Sequence, residues 1–328
     1  MLLVVLGLTA GIVLLVLGGT LLVRGASEVA AGLGVSPLIV GLTIVGFGTS
    51  SPELVVNIFG SLRGVTEIAF GNVVGSNITN IGLVLGAAAI VMPITLQSQI
   101  IKREVPLLIL VTTIMTVMAL DGLLQGQAAI ISRSEGVILM LLFCIFFYVN
   151  TMDMIDVRKS DPINAEVADN PYLEEITVSK RRWAYVGAGF LLLFVGGELT
   201  IRNGVSLATA LGVSATIIGL FVVALGTSMP ELVTSIIAAM RKEPDLALGN
   251  VVGSNIFNSL IVLPTSALIT NVAVPVGGVM DLLVSWGFVV LLIPFFILGE
   301  ARLSRAAGIF LLVLYGLYVS SRIGLELI

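Results

Sequence analysis

The chain repeats itself, and the repeat constrains its fold more than any other feature. Residues Leu33–Asn80 realign on Leu211–Asn258 at a constant offset of 178 with no gap, and more than half of those 48 positions are identical. Two segments carry most of the identity. GFGTSSPELV (Gly46–Val55) returns as ALGTSMPELV (Ala224–Val233), and GNVVGSNITN (Gly71–Asn80) returns as GNVVGSNIFN (Gly249–Asn258). Self-similarity at a fixed offset marks duplicated structural units, so the chain divides into two homologous halves.

Each half is a series of apolar runs. They fall at about 2–31, 37–60, 68–93, 104–120 and 135–150, then at about 183–209, 215–239, 246–270, 279–298 and 306–322. Hydrophobic residues make up 57% of the chain and charged residues 11%, against about 25% charged in a soluble domain. With a mean hydropathy of +1.14, and about 20 apolar residues needed per crossing, the runs read as ten membrane spans. Leu2–Leu22 reads as the first of them rather than a secretory leader, for it lacks a positive n-region and a small-residue cleavage site. An odd number of spans per repeat turns the second copy upside down in the membrane. The expected fold is an all-α integral membrane protein: ten transmembrane helices as two inverted five-helix repeats, residues 1–150 and 183–328, joined by a loop at 151–182.

Lysine and arginine counts orient the chain. With the N-terminus outside, the inner loops hold Lys102, Arg103, Arg158, Lys159, Lys180, Arg181, Arg182, Arg241, Lys242, Arg302 and Arg305, whereas the outer side holds Arg63, Arg133 and Arg322. The 151–182 loop is therefore expected to be cytoplasmic, and its mixed charges read as a solvated connector. Histidine is absent and Cys144 is the lone cysteine, which excludes a disulfide framework and zinc, copper, haem or iron–sulfur sites. A net charge of −4 offers no basic surface for nucleic acid. An intramembrane enzyme finds no nucleophile–base pair here.

The chemistry lies in the repeated segments. Glu53 and Glu231 stand inside apolar spans, where a charge costs about 2.5–3.5 kcal/mol on insertion scales. Neither span offers a nearby lysine or arginine to neutralise it. Each glutamate ends Gly-Thr-Ser-x-Pro-Glu, in which Pro52 and Pro230 free the carbonyls near Gly48 and Gly226 from helical hydrogen bonding. A helix broken at mid-membrane persists only where its backbone lines a cavity or finds another partner, and a cation meets that demand. Thr49, Ser50, Thr227 and Ser228 add hydroxyls, whose other reading is a bond back to their own helix. In the second segment Ser76 and Asn80 lie one turn apart, as do Ser254 and Asn258. Asn72, Asn77, Asn250 and Asn255 add amides that serve either ions or helix–helix contacts, and Gly71–Gly75 and Gly249–Gly253 have small-xxx-small spacing. All of these ligands are hard oxygen, which suits calcium better than magnesium. Two carboxylates are neutralised by one Ca²⁺ or two Na⁺, so the ions compete, and competition at a site open alternately to each side is antiport. A channel reading is less apt, since broken helices in a repeat within one chain favour a carrier.

On these motifs the chain resembles the calcium/cation antiporter superfamily, in its prokaryotic sodium/calcium exchanger branch. The resemblance implies that Glu53 and Glu231 are the principal calcium ligands, shared with sodium, and that Thr49, Ser50, Thr227 and Ser228 supply further oxygen. It implies sodium-site roles for Ser76, Ser254 and the carbonyls of Gly46 and Ala224, with Asn80 a further polar residue of the site. Asn258 is a departure, because the potassium-dependent relatives carry aspartate there; its neutral amide implies a potassium-independent exchanger. Gly-Ser-Asn where the proton/calcium branch typically has glutamate makes proton coupling the alternative. The family implies electrogenic exchange, with the long first and sixth spans sliding against the rest. Glu28, Glu198, Arg24 and Arg202, on those spans, read as interfacial anchors. The partners expected are Ca²⁺, Na⁺ and the lipid bilayer of the cytoplasmic membrane, with no cofactor, no nucleic acid and no obligate protein partner.

Overall fold

The computed structural model describes residues 2–95, 100–120, 126, 129–160, 180–211, 224–298 and 302–326. The first half comprises α1 (Leu2–Leu33), the bent pair α2 (Pro37–Thr49) and α3 (Ser51–Leu62), then α4 (Thr66–Val91), α5 (Val105–Met118) and α6 (Arg133–Ser160). The second comprises α7 (Lys180–Ala210), α8 (Ala224–Thr227), α9 (Met229–Met240), α10 (Pro244–Ile269), α11 (Gly278–Val290), α12 (Leu292–Leu298) and α13 (Arg305–Glu326). Among the described residues seven helices are individually long and apolar enough to cross a membrane, or eight with α2 and α3 taken as one broken span.

Every expected run is met by helix, with differences at three places. The 104–120 run forms a π-helical turn, Ile100–Glu104, before α5, which has only 14 residues. The 215–239 run is described only from Ala224 onward. In the 151–182 loop, α6 continues to Ser160 and α7 begins at Lys180, so the connector is shorter at both ends than the polarity of the sequence suggested; residues 161–179 lie outside the described set. Two small antiparallel bridges are added to an otherwise helical fold. Strand β1 (Ile94–Thr95) pairs with β4 (Arg302–Leu303), and β2 (Ile130–Ile131) with β3 (Val272–Ala273), each tying one half to the other.

Helices α4 and α10 are buried over most of their length and form the centre, with Phe70, Ile78, Ile81, Leu248 and Ile256 in one buried cluster. They run antiparallel, since Asn77 Nδ2 reaches Ser259 Oγ at 2.9 Å and Asn80 Nδ2 reaches Asn255 Oδ1 at 2.9 Å. Gly249 and Gly253 let α2 approach: a Cβ on Gly249 would stand 2.6 Å from the Leu38 carbonyl oxygen, and one on Gly253 would overlap the Leu42 carbonyl. The small-xxx-small expectation thus holds for the second copy. A Cβ on Gly71 or Gly75 would meet nothing within 4 Å among the described residues, and the segment the repeat pairs with them, 212–223, lies outside that set.

Helices α1 and α7 also lie antiparallel, and glycine sets their distance. Along the pair Gly7 faces Asn203, Gly11 faces Thr200 and Gly196, Gly18 faces Gly189 and Leu193, and Gly25 faces Val186. A Cβ on Gly189 would lie 2.7 Å from the Leu22 nitrogen, and one on Gly196 2.8 Å from the Leu15 nitrogen. Backbone-to-backbone packing of this kind replaces the hydrophobic driving force that is missing inside a bilayer. The 32 residues of α1 extend about 48 Å at the helical rise, longer than the hydrocarbon layer, so the helix tilts or protrudes. Arg24 and Glu28 pair along α1 at 2.9 Å, and Arg202 and Glu198 along α7 at 2.7 Å. Near one end of the pair Arg24 and Arg181 both stack over the Tyr185 ring, 4.8 and 5.3 Å from its centroid.

The glycine seam predicts that Gly189→Val, which puts a branched side chain against the α1 backbone, loses about 1–3 kcal/mol to overpacking. Thermal unfolding in detergent is expected to show a lower Tm than wild type, whereas Gly187→Ala, where an added Cβ meets nothing within 4 Å among the described residues, is expected to leave it unchanged.

Candidate ion-binding site

The two Thr-Ser-x-Pro-Glu segments fold alike. Pro52 and Pro230 sit within the first two residues of α3 and α9, and the residue before each helix leaves helical geometry: Ser50 has φ −84° and ψ 7°, Ser228 φ −85° and ψ 4°. Between α2 and α3 the axis turns by 41°. The carboxylates thereby fall in the first turn of α3 and of α9, where the positive end of the helix dipole favours an anion. The glycines of the two turns admit α7. A Cβ on Gly48 would overlap the Phe190 ring and one on Gly226 would overlap Ile201 Cγ1, so α7 lies against both breaks.

The serines cross between the halves, which the back-bonding alternative did not anticipate. Ser50 Oγ donates to Glu231 Oε1 at 2.9 Å, and Ser228 Oγ reaches Glu53 Oε1 at 3.5 Å and Ser76 Oγ at 3.3 Å. Ser76 Oγ approaches the same Glu53 oxygen at 3.4 Å. On the other side Thr49 Oγ1 lies 3.0 Å from Asn250 Oδ1, 3.3 Å from Ser254 Oγ and 3.4 Å from the Gly46 carbonyl, which Ser254 Oγ also approaches at 3.3 Å. Thr227 Oγ1 lies 3.4 Å from Asn72 Oδ1. Separations of 3.3–3.5 Å are at the outer limit for hydroxyl hydrogen bonds, so these oxygens are gathered without being tightly paired. Ala224, whose carbonyl the resemblance singled out, opens α8 one turn before Thr227.

Glu53 and Glu231 have no exposed surface, and Oε2 of each has no hydrogen-bond partner among the described residues. A buried carboxylate oxygen with no partner costs several kcal/mol unless a charge compensates it. Among the described residues, fully buried Asn258 has neither amide atom partnered, and Asn80 has no partner for its Oδ1 while its Nδ2 serves Asn255. The oxygen set therefore suits a hard cation. Beside it lies an apolar cavity of about 830 Å³ lined by Phe47, Phe143, Phe190, Phe194 and Phe257; its aromatic walls offer a cation nothing comparable to the oxygen layer.

Two residues behind the site went unnoticed in the sequence. Asn57 Oδ1 accepts from Asn72 Nδ2 at 2.7 Å, and Ser235 Oγ accepts from Asn250 Nδ2 at 2.9 Å. Each follows its glutamate by four residues and the two occupy equivalent repeat positions, so polarity on the glutamate's own helix face was the signal available. The π-helical turns Asn80–Leu85 and Asn258–Val262, which begin at the last residue of each repeated segment, are a second such feature, of a kind frequent at functional sites.

The chain is similar to known proteins over most of its length. The family model described as "Sodium/calcium exchanger protein" matches residues 3–152 and 182–324. The inner membrane protein YrbG of Escherichia coli is 36% identical over 266 residues, covering 80% of this chain and 79% of its own. The sodium/calcium exchanger MaX1 of Methanosarcina acetivorans is 30% identical over 292 residues, covering 80% and 81%. A solved structure of the sodium-calcium exchanger NCX_Mj, soaked with 2.5 mM Na⁺ and 0.1 mM Ca²⁺, superposes with a TM-score of 0.82 at 30% identity over 98% of this chain and 99% of that one.

Neutralising one carboxylate separates the electrostatic cost from the ligand role. Glu53→Gln is expected to raise the Tm of the ion-free protein, because a buried uncompensated charge is removed, and to abolish the Tm increase that calcium gives the wild type by mass action. Differential scanning fluorimetry across a calcium titration reads both effects.

Proposed function

Because the chain belongs to the sodium/calcium exchanger protein family, we propose that it is a Na⁺-driven Ca²⁺ antiporter working by alternating access. At the coarser level it is a multi-pass membrane protein and a cation/calcium antiporter, as its family and its relatives MaX1 and NCX_Mj are. The observation that carries the finer reading is the pair of fully buried glutamates, each with one carboxylate oxygen unpartnered.

The two carboxylates supply a charge of −2. One Ca²⁺ or two Na⁺ cancels it, so each ion displaces the other and neither half-reaction leaves bare charge in the low-dielectric interior. Glu53 and Glu231 are proposed as the shared ligands. Thr49, Ser50, Thr227, Ser228, Ser76 and Ser254, with the carbonyls of Gly46 and Ala224 and the amides of Asn80 and Asn258, make up the remaining oxygen. That supply meets calcium's demand for about 6–8 flexible oxygen ligands. More sodium than two per calcium, held by the neutral oxygens, makes the exchange electrogenic. The neutral Asn258 leaves potassium without a third carboxylate, which supports potassium independence. No cofactor takes part.

The topology proposed is ten spans in two inverted halves, 1–150 and 183–328, around the 151–182 loop. Antiparallel packing of the equivalent helices α1 with α7 and α4 with α10 supports the inversion. The glycine seam makes α1 and α7 one body, and Phe190 and Ile201 of that body rest on the two broken turns. Sliding it exposes one break and covers the other. The distribution of lysine and arginine supports a cytoplasmic 151–182 loop and an external N-terminus in the cytoplasmic membrane.

The second reading, proton/calcium exchange, rests on the same two carboxylates, each able to take a proton. Uptake of ⁴⁵Ca²⁺ into proteoliposomes distinguishes the two. An outward Na⁺ gradient is expected to drive uptake, with external K⁺ irrelevant and the rate altered by a valinomycin-clamped membrane potential. Uptake driven by a pH gradient in the absence of Na⁺ overturns sodium coupling and leaves the antiporter assignment standing.

A further inference from the structure

The repeat makes Asn80 and Asn258 equivalent, and likewise Asn77 and Asn255; their surroundings do not. Asn255 Nδ2 donates to the Asn77 main-chain carbonyl at 3.2 Å. A carbonyl oxygen only accepts, so the Asn255 amide has one orientation, with its Oδ1 turned to Asn80. Asn80 Nδ2 donates to that oxygen at 2.9 Å, a distance at the mode for N–H···O bonds. The Asn80 amide is thereby oriented as well. Its NH₂ is engaged with α10, and its Oδ1, buried and without a partner among the described residues, is the end left over. Asn80 follows Ser76 by one turn, and Ser76 Oγ lies 3.4 Å from Glu53 Oε1, so Asn80 shares the face of α4 that carries the site.

The antiparallel register that sets Asn80 against Asn255 also sets Asn258 against Asn77. That second bond is not made. Asn77 Nδ2 reaches Ser259 Oγ at 2.9 Å instead, and Asn77 Oδ1 and both amide atoms of Asn258 have no partner among the described residues. One residue accounts for the difference. Ser259 falls where the first half has Ile81, so a hydroxyl is present to take the Asn77 amide and none is present at the equivalent place to take that of Asn255. Asn80, Asn255, Asn258 and Ser259 have no exposed surface. We propose that Asn255 is a positioning residue that holds the Asn80 amide with its oxygen toward the cation, and that Ser259, by diverting Asn77, leaves Asn258 without the same hold. The two half-sites are then unequal. Asn80 supplies an oxygen already oriented, whereas Asn258 gives up rotational freedom when it turns its oxygen to an ion.

The inference rests on the reading of Asn80 and Asn258 as cation ligands, and double-mutant cycles test the two separately. Half-saturation for Ca²⁺ and maximal rate are measured by ⁴⁵Ca²⁺ flux. Asn255→Leu is expected to raise half-saturation about fivefold, within the worth of one hydrogen bond, with the maximal rate within about twofold, and to add nothing in the Asn80→Ala background. Asn77→Leu also removes a bond between α4 and α10, so a merely structural effect acts on both variants alike; only Asn255→Leu is expected to change half-saturation. Ser259→Ala releases Asn77 to hold Asn258 and is expected to lower half-saturation about twofold, a gain that disappears with Asn258→Ala. Impaired folding does not tighten binding, so this arm decides the matter if Asn255→Leu does not fold. Additive effects in the Asn80 cycle, equal rises for Asn255→Leu and Asn77→Leu, or a fall in maximal rate with unchanged half-saturation overturn the positioning role while the ligand reading stands. An unchanged half-saturation in Ser259→Ala overturns the inequality of the half-sites. If Asn80→Ala leaves half-saturation at the wild-type value, the ligand reading of Asn80 fails and its positioning fails with it.

Discussion

Two carboxylates are buried where there is no water to solvate them, and much of the molecule is arranged around that fact. Glu53 and Glu231 each use one oxygen on a serine hydroxyl, and the other has no hydrogen-bond partner among the described residues. The proline that precedes each carboxylate begins a new helix, so the carboxylate lies at a positive dipole end. Hydroxyls from the opposite half come within 3.5 Å. None of these neutral groups cancels a full charge in a low-dielectric interior. In the exchange proposed above, the fold holds the anions in place and their neutralisation falls to the transported cations, which would make ion occupancy part of the protein's own energetics.

Glycine does the complementary work. Along α1 and α7 it removes the side chains that would hold two helices apart, and at Gly48 and Gly226 it lets α7 lie directly on the broken turns. Along the seam backbone meets backbone, while at the turns themselves the contacts are made by side chains, Phe190 against Gly48 and Ile201 against Gly226. The amide networks of α4 and α10 have the opposite character: Asn77, Asn80, Asn255 and Ser259 bond across the antiparallel pair and fasten the centre.

Much of this was legible in the residues. The duplication, the apolar runs, the interrupting prolines and the intramembrane glutamates follow from sequence because each depends on local chemistry or on periodicity. That helix α6 continues into the polar residues as far as Ser160 was not legible, because charge alone does not end a helix. Asn57 and Ser235 were passed over because one polar residue four positions beyond a glutamate has no distinctive pattern. Its meaning appears only when Asn72 and Asn250 are found against it.

The sequence by itself determined that the chain is two copies of one membrane unit and that each copy carries an acidic residue next to a helix break, since identity at a fixed offset and proline stereochemistry need no knowledge of contacts. Only the tertiary structure decided which half serves which carboxylate. Ser50 lies 181 positions from Glu231 and Ser228 lies 175 from Glu53. No local propensity reports a separation of that size; it is set by the antiparallel docking of the two halves, where glycine-spaced helices and cross-bonded amides bring the opposite breaks together.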